Sequence, residues 1–207
     1  MYTPPAFAVE DPEEIRGIVR AARLATLVTA GPEGLMATPL PLFLEETGEG
    51  FGVLHGHLAR ANRQWSTPVA GEALAIFAGS DAYVTPAWYA TKAETGKVVP
   101  TWNYEAVHLH GRPEFFTDPD RLLESVSRLT ALREAGRAEP WAVGDAPGSF
   151  VRSQLKGIVG VRMPVSRVEA KRKMSQNRNA ADRGGVAEGL AASPREADRH
   201  VAALIPR

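Results

Sequence analysis

Six or seven short stretches rich in β-branched and apolar residues, most of them bounded by glycine, proline or polar turn signals, constrain this chain more than any other feature. Residues 24–30 carry Thr26, Val28 and Thr29 and read as a strand, closed by the turn Gly31-Pro32-Glu33-Gly34. Residues 35–45 read as a second strand, with Leu40, Leu42 and Leu44 alternating on one face. Pro39 and Pro41 cannot donate to a ladder, so this stretch belongs at an edge or a bulge. Further strands are expected over 51–58, 73–79 and 82–89, the last two split by Ser80-Asp81. A long strand is expected over 101–116. It sets Trp102, Tyr104, Ala106, His108 and His110 on one face and Asn103, Glu105, Val107 and Leu109 on the other. A last strand over 157–174 bends at Pro164.

Helical spacing occurs only around these strands. Asp11-Pro12-Glu13-Glu14 opens a helix whose Ile15, Ile18, Val19 and Ala22 share a face. Residues 117–135 form the clearest helix, with Leu122, Val126, Leu129 and Leu132 as its expected buried stripe. A short polar helix follows at 59–66, residues 90–100 read as a loop, and two short helices begin near Asn179 and at Ser193-Pro194-Arg195-Glu196. The pattern predicts an α+β fold, an antiparallel barrel with helices packed outside it. Residues 1–178 are expected to form the barrel domain and 179–207 a helical tail packed on it.

Composition narrows the function. Lysine plus arginine and aspartate plus glutamate each number 24, so no whole-protein basic field exists for nucleic acid. The absence of cysteine removes disulfides, zinc–thiolate centres and thiol nucleophiles together. The start Met1-Tyr2-Thr3-Pro4-Pro5 lacks a basic and then apolar leader, and no apolar run approaches the ~20 residues of a membrane span. A cytoplasmic protein without a membrane partner is the expectation.

Four segments can carry chemistry. In His55-Gly56-His57-Leu58-Ala59-Arg60-Ala61-Asn62-Arg63-Gln64-Trp65 a strand gives way to a short helix, whose free N–H groups and two arginines would suit a phosphate. A solvated turn with two surface arginines explains the same residues. The pairs His55/His57 and His108/His110 each project to one side of a strand; side by side, two such strands would ligate a metal or a haem iron. Ordinary barrel histidines are the simpler reading. Val99-Pro100-Thr101-Trp102-Asn103-Tyr104 sets aromatic rings beside hydrogen-bonding groups, as a flat ligand or a core would require. In Lys171-Arg172-Lys173-Met174-Ser175-Gln176-Asn177-Arg178 the charges alternate faces and make no nucleic-acid stripe, but Ser175, Gln176 and Asn177 are good partners for a ligand edge. No serine stands in a nucleophile elbow.

Taken in order, these segments resemble the PaiB family of FMN-binding negative transcriptional regulators. The matching stretches are Gly56-His57-Leu58-Ala59-Arg60-Ala61-Asn62, Asp81-Ala82-Tyr83-Val84-Thr85-Pro86-Ala87-Trp88-Tyr89, Val99-Pro100-Thr101-Trp102-Asn103-Tyr104, Leu155-Lys156-Gly157-Ile158-Val159-Gly160 and Lys173-Met174-Ser175-Gln176-Asn177-Arg178. The family is similar to the pyridoxamine-phosphate-oxidase-like split barrels, which are dimers holding FMN in a groove between subunits. The resemblance therefore implies a split antiparallel β-barrel, an FMN cofactor and a homodimer. It implies that the turn with Arg60 and Asn62 holds the phosphate, that Thr38, Pro39 and Leu40 lie along the isoalloxazine, and that His57 is a further cofactor-binding residue. Trp102, Ser175, Gln176 and Asn177 would come from the second subunit or close the pocket. Arg63 stands where the family pattern has a proline.

Three functions follow from the resemblance. The first is a flavin-binding transcriptional regulator, with DNA as a partner that the neutral charge does little to support. The second is a flavin-dependent oxidoreductase acting on a small substrate, with no dedicated acid or base in view. The third is a haem enzyme of the piperazate synthase type, for which His55, His57, His108 and His110 would be the candidate ligands.

Overall fold

The computed structural model describes residues 1–22 and 24–206. The helix expected at the start is α1 (Pro12–Ala21), and Asp11 caps it by accepting from the N–H groups of Glu13 and Glu14. Strands β1 (Ala25–Gly31) and β2 (Gly34–Leu40) form a hairpin, with Leu27 opposite Thr38 and Thr26 opposite Pro39. The next strands are β3 (Leu42–Glu45), β4 (Val53–Ala59) and β5 (Ala73–Val84). A short helix α2 (Ala90–Thr95) occupies what the sequence suggested was a loop. Then come β6 (Thr101–Gly111), β7 (Glu114–Phe116) and α3 (Pro119–Glu134), followed by α4 (Gly148–Leu155), β8 (Ile158–Pro164), β9 (Arg167–Lys173), α5 (Ala180–Ala191) and α6 (Glu196–Leu204).

The strands make two sheets, ordered β2-β1-β5-β6-β9 and β3-β4-β8-β7. Three stretches expected as single strands are each divided between the sheets. Pro41 separates β2 from β3, Arg112-Pro113 separates β6 from β7, and the segment after Pro164 separates β8 from β9. Each proline lacks the N–H that a continuous ladder requires, so the hydrogen-bond row stops and the chain changes sheet there. The converse holds at Ser80-Asp81, where the expected break is absent and β5 runs through for 12 residues. The polar helix expected over 59–66 is reduced to a 3-10 turn at Arg63–Trp65.

Two compact units can be distinguished. One comprises Met1–Ala21, Ala78–Val107 and Glu169–Arg207, the other Ala22–Phe77 and His108–Val168. In the first unit α5 and α6 bury Val186, Leu190, Val201 and Ile205 against Ala82, Val84, Tyr89 and Met174. Gly185 and Gly189 lie one helical turn apart on α5, and a Cβ at either would fall within 2.3 Å of Trp88. The Ala87-Trp88-Tyr89 stretch is thereby a packing device, seated on a helix face kept bare by glycine.

In the second unit β3, β4, β8 and β7 pair antiparallel, and α3 and α4 cover them with Leu122 and Leu155 packed on Phe116. Gly160 makes this possible, because a Cβ there would lie 2.2 Å from the Phe116 ring. Asp118 Oδ1 accepts from Arg121 N–H at 2.9 Å and so caps α3. Its buried residues are Leu122, Ser125 and Leu129, whereas Leu132 is 57% exposed, so the apolar stripe ends a turn earlier than expected. Among the described residues, no helix is long and apolar enough to cross a membrane.

Candidate functional site

The second unit supplies the better-formed candidate. Strand β4 ends at Ala59, and Asn62 N–H donates to the Ala59 carbonyl at 2.9 Å to close a tight turn. Asn62 then caps the Arg63–Trp65 turn, its Oδ1 accepting from Gln64 N–H at 2.9 Å. Its Nδ2 donates to Thr38 Oγ1 at 2.8 Å, which ties the turn to β2. The two segments the sequence proposed for phosphate and ring, Asn62 and Thr38, are therefore in direct contact.

Gln64 is the residue the sequence reading missed. It is 1% exposed and donates from Nε2 to the Leu27 carbonyl at 3.0 Å and to Thr29 Oγ1 at 3.1 Å, with the Met36 carbonyl at 3.4 Å. A buried primary amide facing three acceptors from β1 and β2 fixes the turn from beneath. The only sequence signal was an amide residue two positions after a helix-capping asparagine. Arg60 N–H donates to the Gly157 carbonyl at 2.8 Å, and Trp65 Nε1 donates to the Arg60 carbonyl at 2.8 Å. The backbone of Arg60 is thus held on both sides while its guanidinium stays exposed, with one long contact of 3.4 Å to the Ile158 carbonyl. Neither Arg60 nor Arg63 has an ion-pair partner among the described residues. A fixed turn with two uncompensated guanidinium groups fits a phosphate.

The other second-unit residues divide. Pro39 is exposed beside Leu35 and Ala37 on β2, the edge strand of its sheet, as the prolines implied. Leu40 is buried, so its side chain packs in the core and only its backbone can face a ligand. His57 shares a face of β4 with His55, the face whose cross-strand neighbours are Phe43, Arg162 and Gly160. Its Nδ1 is buried without a partner among the described residues, and burial holds its pKa below the usual histidine value. The haem reading required the two histidine pairs on adjacent strands. β4 and β6 belong to different sheets, so the two pairs are not neighbours along one ladder. His55 instead lies 2.8 Å from Glu45 and stacks on Phe43.

The remaining expected residues lie in the first unit. Asn103 is fully buried and faces the Ser175 hydroxyl, with Nδ2 at 3.1 Å and Oδ1 at 3.2 Å. Ser175 takes a φ of 62°, the only left-handed backbone outside glycine among the described residues. Gln176 is turned on its own backbone, its Oε1 accepting from Met174 N–H at 2.6 Å and its Nε2 donating to the Arg172 carbonyl at 2.5 Å. Both ends of that amide are engaged, so the expected ligand role for its side chain gives way to a turn-forming one. Ser175 and Asn177 line a small cleft with Tyr89, Thr101, Asn103, Lys173 and Arg178. Lys173 donates to Thr101 Oγ1 and to the Trp102 carbonyl. Burial first, then Lys171 and Arg178, hold its ammonium below the usual lysine range. Trp102 is half exposed and meets Tyr83 edge to face.

The chain is similar to known proteins over most of its length. Residues 1–167 match the family model described as "Putative FMN-binding domain". A Bacillus subtilis protein, "Protease synthase and sporulation protein PAI 2", is 36% identical over 191 residues, covering 92% of this chain and 89% of that protein. Among solved structures, the flavocytochrome Anf3 from Azotobacter vinelandii superposes with a TM-score of 0.58 at 16% identity, over 80% of this chain and 69% of that one. The FAD and heme binding protein from Mycobacterium smegmatis gives a TM-score of 0.58 at 15% identity, over 84% of this chain and 77% of that one. At such identity these two structures speak for the fold alone, which is the α+β split-barrel class read from the sequence.

Proposed function

Because this chain belongs to the PaiB family, whose domain carries an FMN-binding description, we propose that it binds FMN with the phosphate on the Arg60–Asn62 turn and the ring along Thr38 and Pro39. The observation that carries this reading is the hydrogen bond from Asn62 to Thr38, which joins the two segments beside guanidinium groups that have no acid partner among the described residues. Bound there, the flavin would supply electron transfer, and the chain would supply orientation and charge. The exposed edge of β2, with Leu35 77% exposed, supports a homodimer that completes the groove. Regulation of transcription would then follow the flavin or dimer state.

The test is titration of purified protein with FMN and riboflavin. Arg60→Ala should weaken FMN on the order of tenfold or more and leave riboflavin almost unchanged, since only FMN presents a charged phosphate. Equal loss of both would remove the phosphate role. A flavin-dependent oxidoreductase is the second reading, favoured by the polar cleft at Lys173, Ser175 and Asn177. Turnover of NAD(P)H with bound FMN would favour it. For the regulator, salt-dependent binding to DNA is the expected result, and no binding at low salt would exclude direct repression.

A further inference from the structure

A cavity lies in the second unit, beside α3. One row crosses all four strands of the smaller sheet in register: Phe43 on β3, His55 on β4, Arg162 on β8 and Glu114 on β7. With Glu45, Phe116 and the α3 residues Arg121, Glu124, Ser125 and Arg128, this row lines a cavity of about 230 Å³. None of the residues assigned to FMN borders it.

The charges around it are paired, with one exception. Glu45 lies 2.8 Å from Arg128 and 2.8 Å from His55. Glu114 lies 2.8 Å from Arg121, although Arg162 is its cross-strand neighbour. Glu124 is 3.9 Å from Arg128. The Arg162 guanidinium is half-buried and makes no contact ion pair or side-chain hydrogen bond among the described residues; its charge reaches Glu114, whose carboxylate is bound by Arg121 instead. Beside it the Ser125 hydroxyl is buried without a partner. A half-buried guanidinium costs free energy unless an anion meets it. The other walls are flat: Phe43 stacks on His55 at 5.3 Å, and Arg121 covers the Phe116 ring at 4.0 Å.

We propose that this cavity binds a small flat monocarboxylate, its carboxylate forked on Arg162 and its body against Phe43 and Phe116. Among the described residues Arg162 is the one guanidinium of the lining without a contact ion pair, because Arg128 meets both Glu45 and Glu124, and one carboxylate would fill that place. A phosphate dianion would bring a second charge into a ring of glutamates. The planar fork of arginine suits a carboxylate, and the aromatic walls suit a ring.

The full-length protein is tested by calorimetry with benzoate, with inorganic phosphate as the control. Saturable benzoate binding is expected, unchanged by saturating FMN and reduced on the order of tenfold by Arg162→Gln. The same variant should bind FMN as the wild type does, which separates this site from the proposed flavin site. Arg60→Ala should leave benzoate binding intact. A readout that needs no variant is arginine modification by phenylglyoxal with peptide mapping, in which benzoate should protect Arg162 selectively. Three results would each overturn the proposal: absence of saturable benzoate binding, binding that Arg60→Ala removes and Arg162→Gln does not, or no protection of Arg162.

Discussion

Two turns stand in stretches that carry the family resemblance, and they are held together in opposite ways. In the turn after β4, the side chains of Asn62 and Gln64 reach outward to β1 and β2, and the arginine guanidinium groups remain uncommitted. In the turn after β9, polar groups close on one another: Gln176 on its own backbone, Ser175 on Asn103, and Lys173 on Thr101. The first turn is rigid with charge left over, which is what a ligand site requires. The second has most of its hydrogen-bonding capacity satisfied internally. A polar motif therefore has two physical meanings, and only the count of unsatisfied donors separates them.

The contrast can be broken most strongly at Gln64. Gln64→Ala removes the buried donors to the Leu27 carbonyl and the Thr29 hydroxyl and should destabilise the protein by about 2–4 kcal/mol in urea unfolding. A loss below about 0.5 kcal/mol would mean that the turn is not fixed from beneath. Next is Ser175. Ser175→Ala removes the hydroxyl from buried Asn103 and leaves a Cβ at positive φ, so a cost of about 1–3 kcal/mol is expected. Ser175→Gly relieves the backbone and should be less damaging by roughly 1 kcal/mol. If alanine and glycine behave alike, the left-handed backbone is not a constraint.

Asn62→Ala should cost about 1 kcal/mol through the lost cap, and it should also weaken FMN by freeing the turn from Thr38. Stability loss with unaltered FMN affinity would detach the cap from ligand binding.

The smallest expected effect is that of pH. His55 and His57, on the strand that feeds the first turn, both titrate below the usual histidine value, in each case mainly because they are buried. Between their folded values and about 6.5 the unfolded chain binds more protons, so their contribution is complete above that window and declines as pH falls through it. The melting temperature should therefore fall from pH 7.5 to 5.5, with amide exchange in β4 rising first. A flat profile would show that these histidines are not buried as neutral groups.

Much of this could be read without coordinates. Asp11 capping α1, alternation along β6 with Asn103, Glu105, Val107 and Leu109 inward, and the Arg60–Asn62 turn all follow from local residue chemistry. Leu132 shows the limit. Helical spacing places it on the apolar stripe, yet α3 leaves the sheet before reaching it. Gln64 shows another limit, since its role depends on β1 and β2, more than 25 residues away.

What the sequence by itself determined is where the chain extends, coils and turns, because backbone preference, capping and alternation act within a few residues. It also put an edge or bulge at Pro39 and Pro41 and a bend at Pro164, but read 101–116 straight through Pro113. Only the tertiary structure decided which sheet receives each half of those strands. That choice is made by partners distant in the chain, through backbone hydrogen bonds that carry no residue identity. The same packing decided which charges found partners, and so left Arg60, Arg63 and Arg162 without a contact ion pair among the described residues.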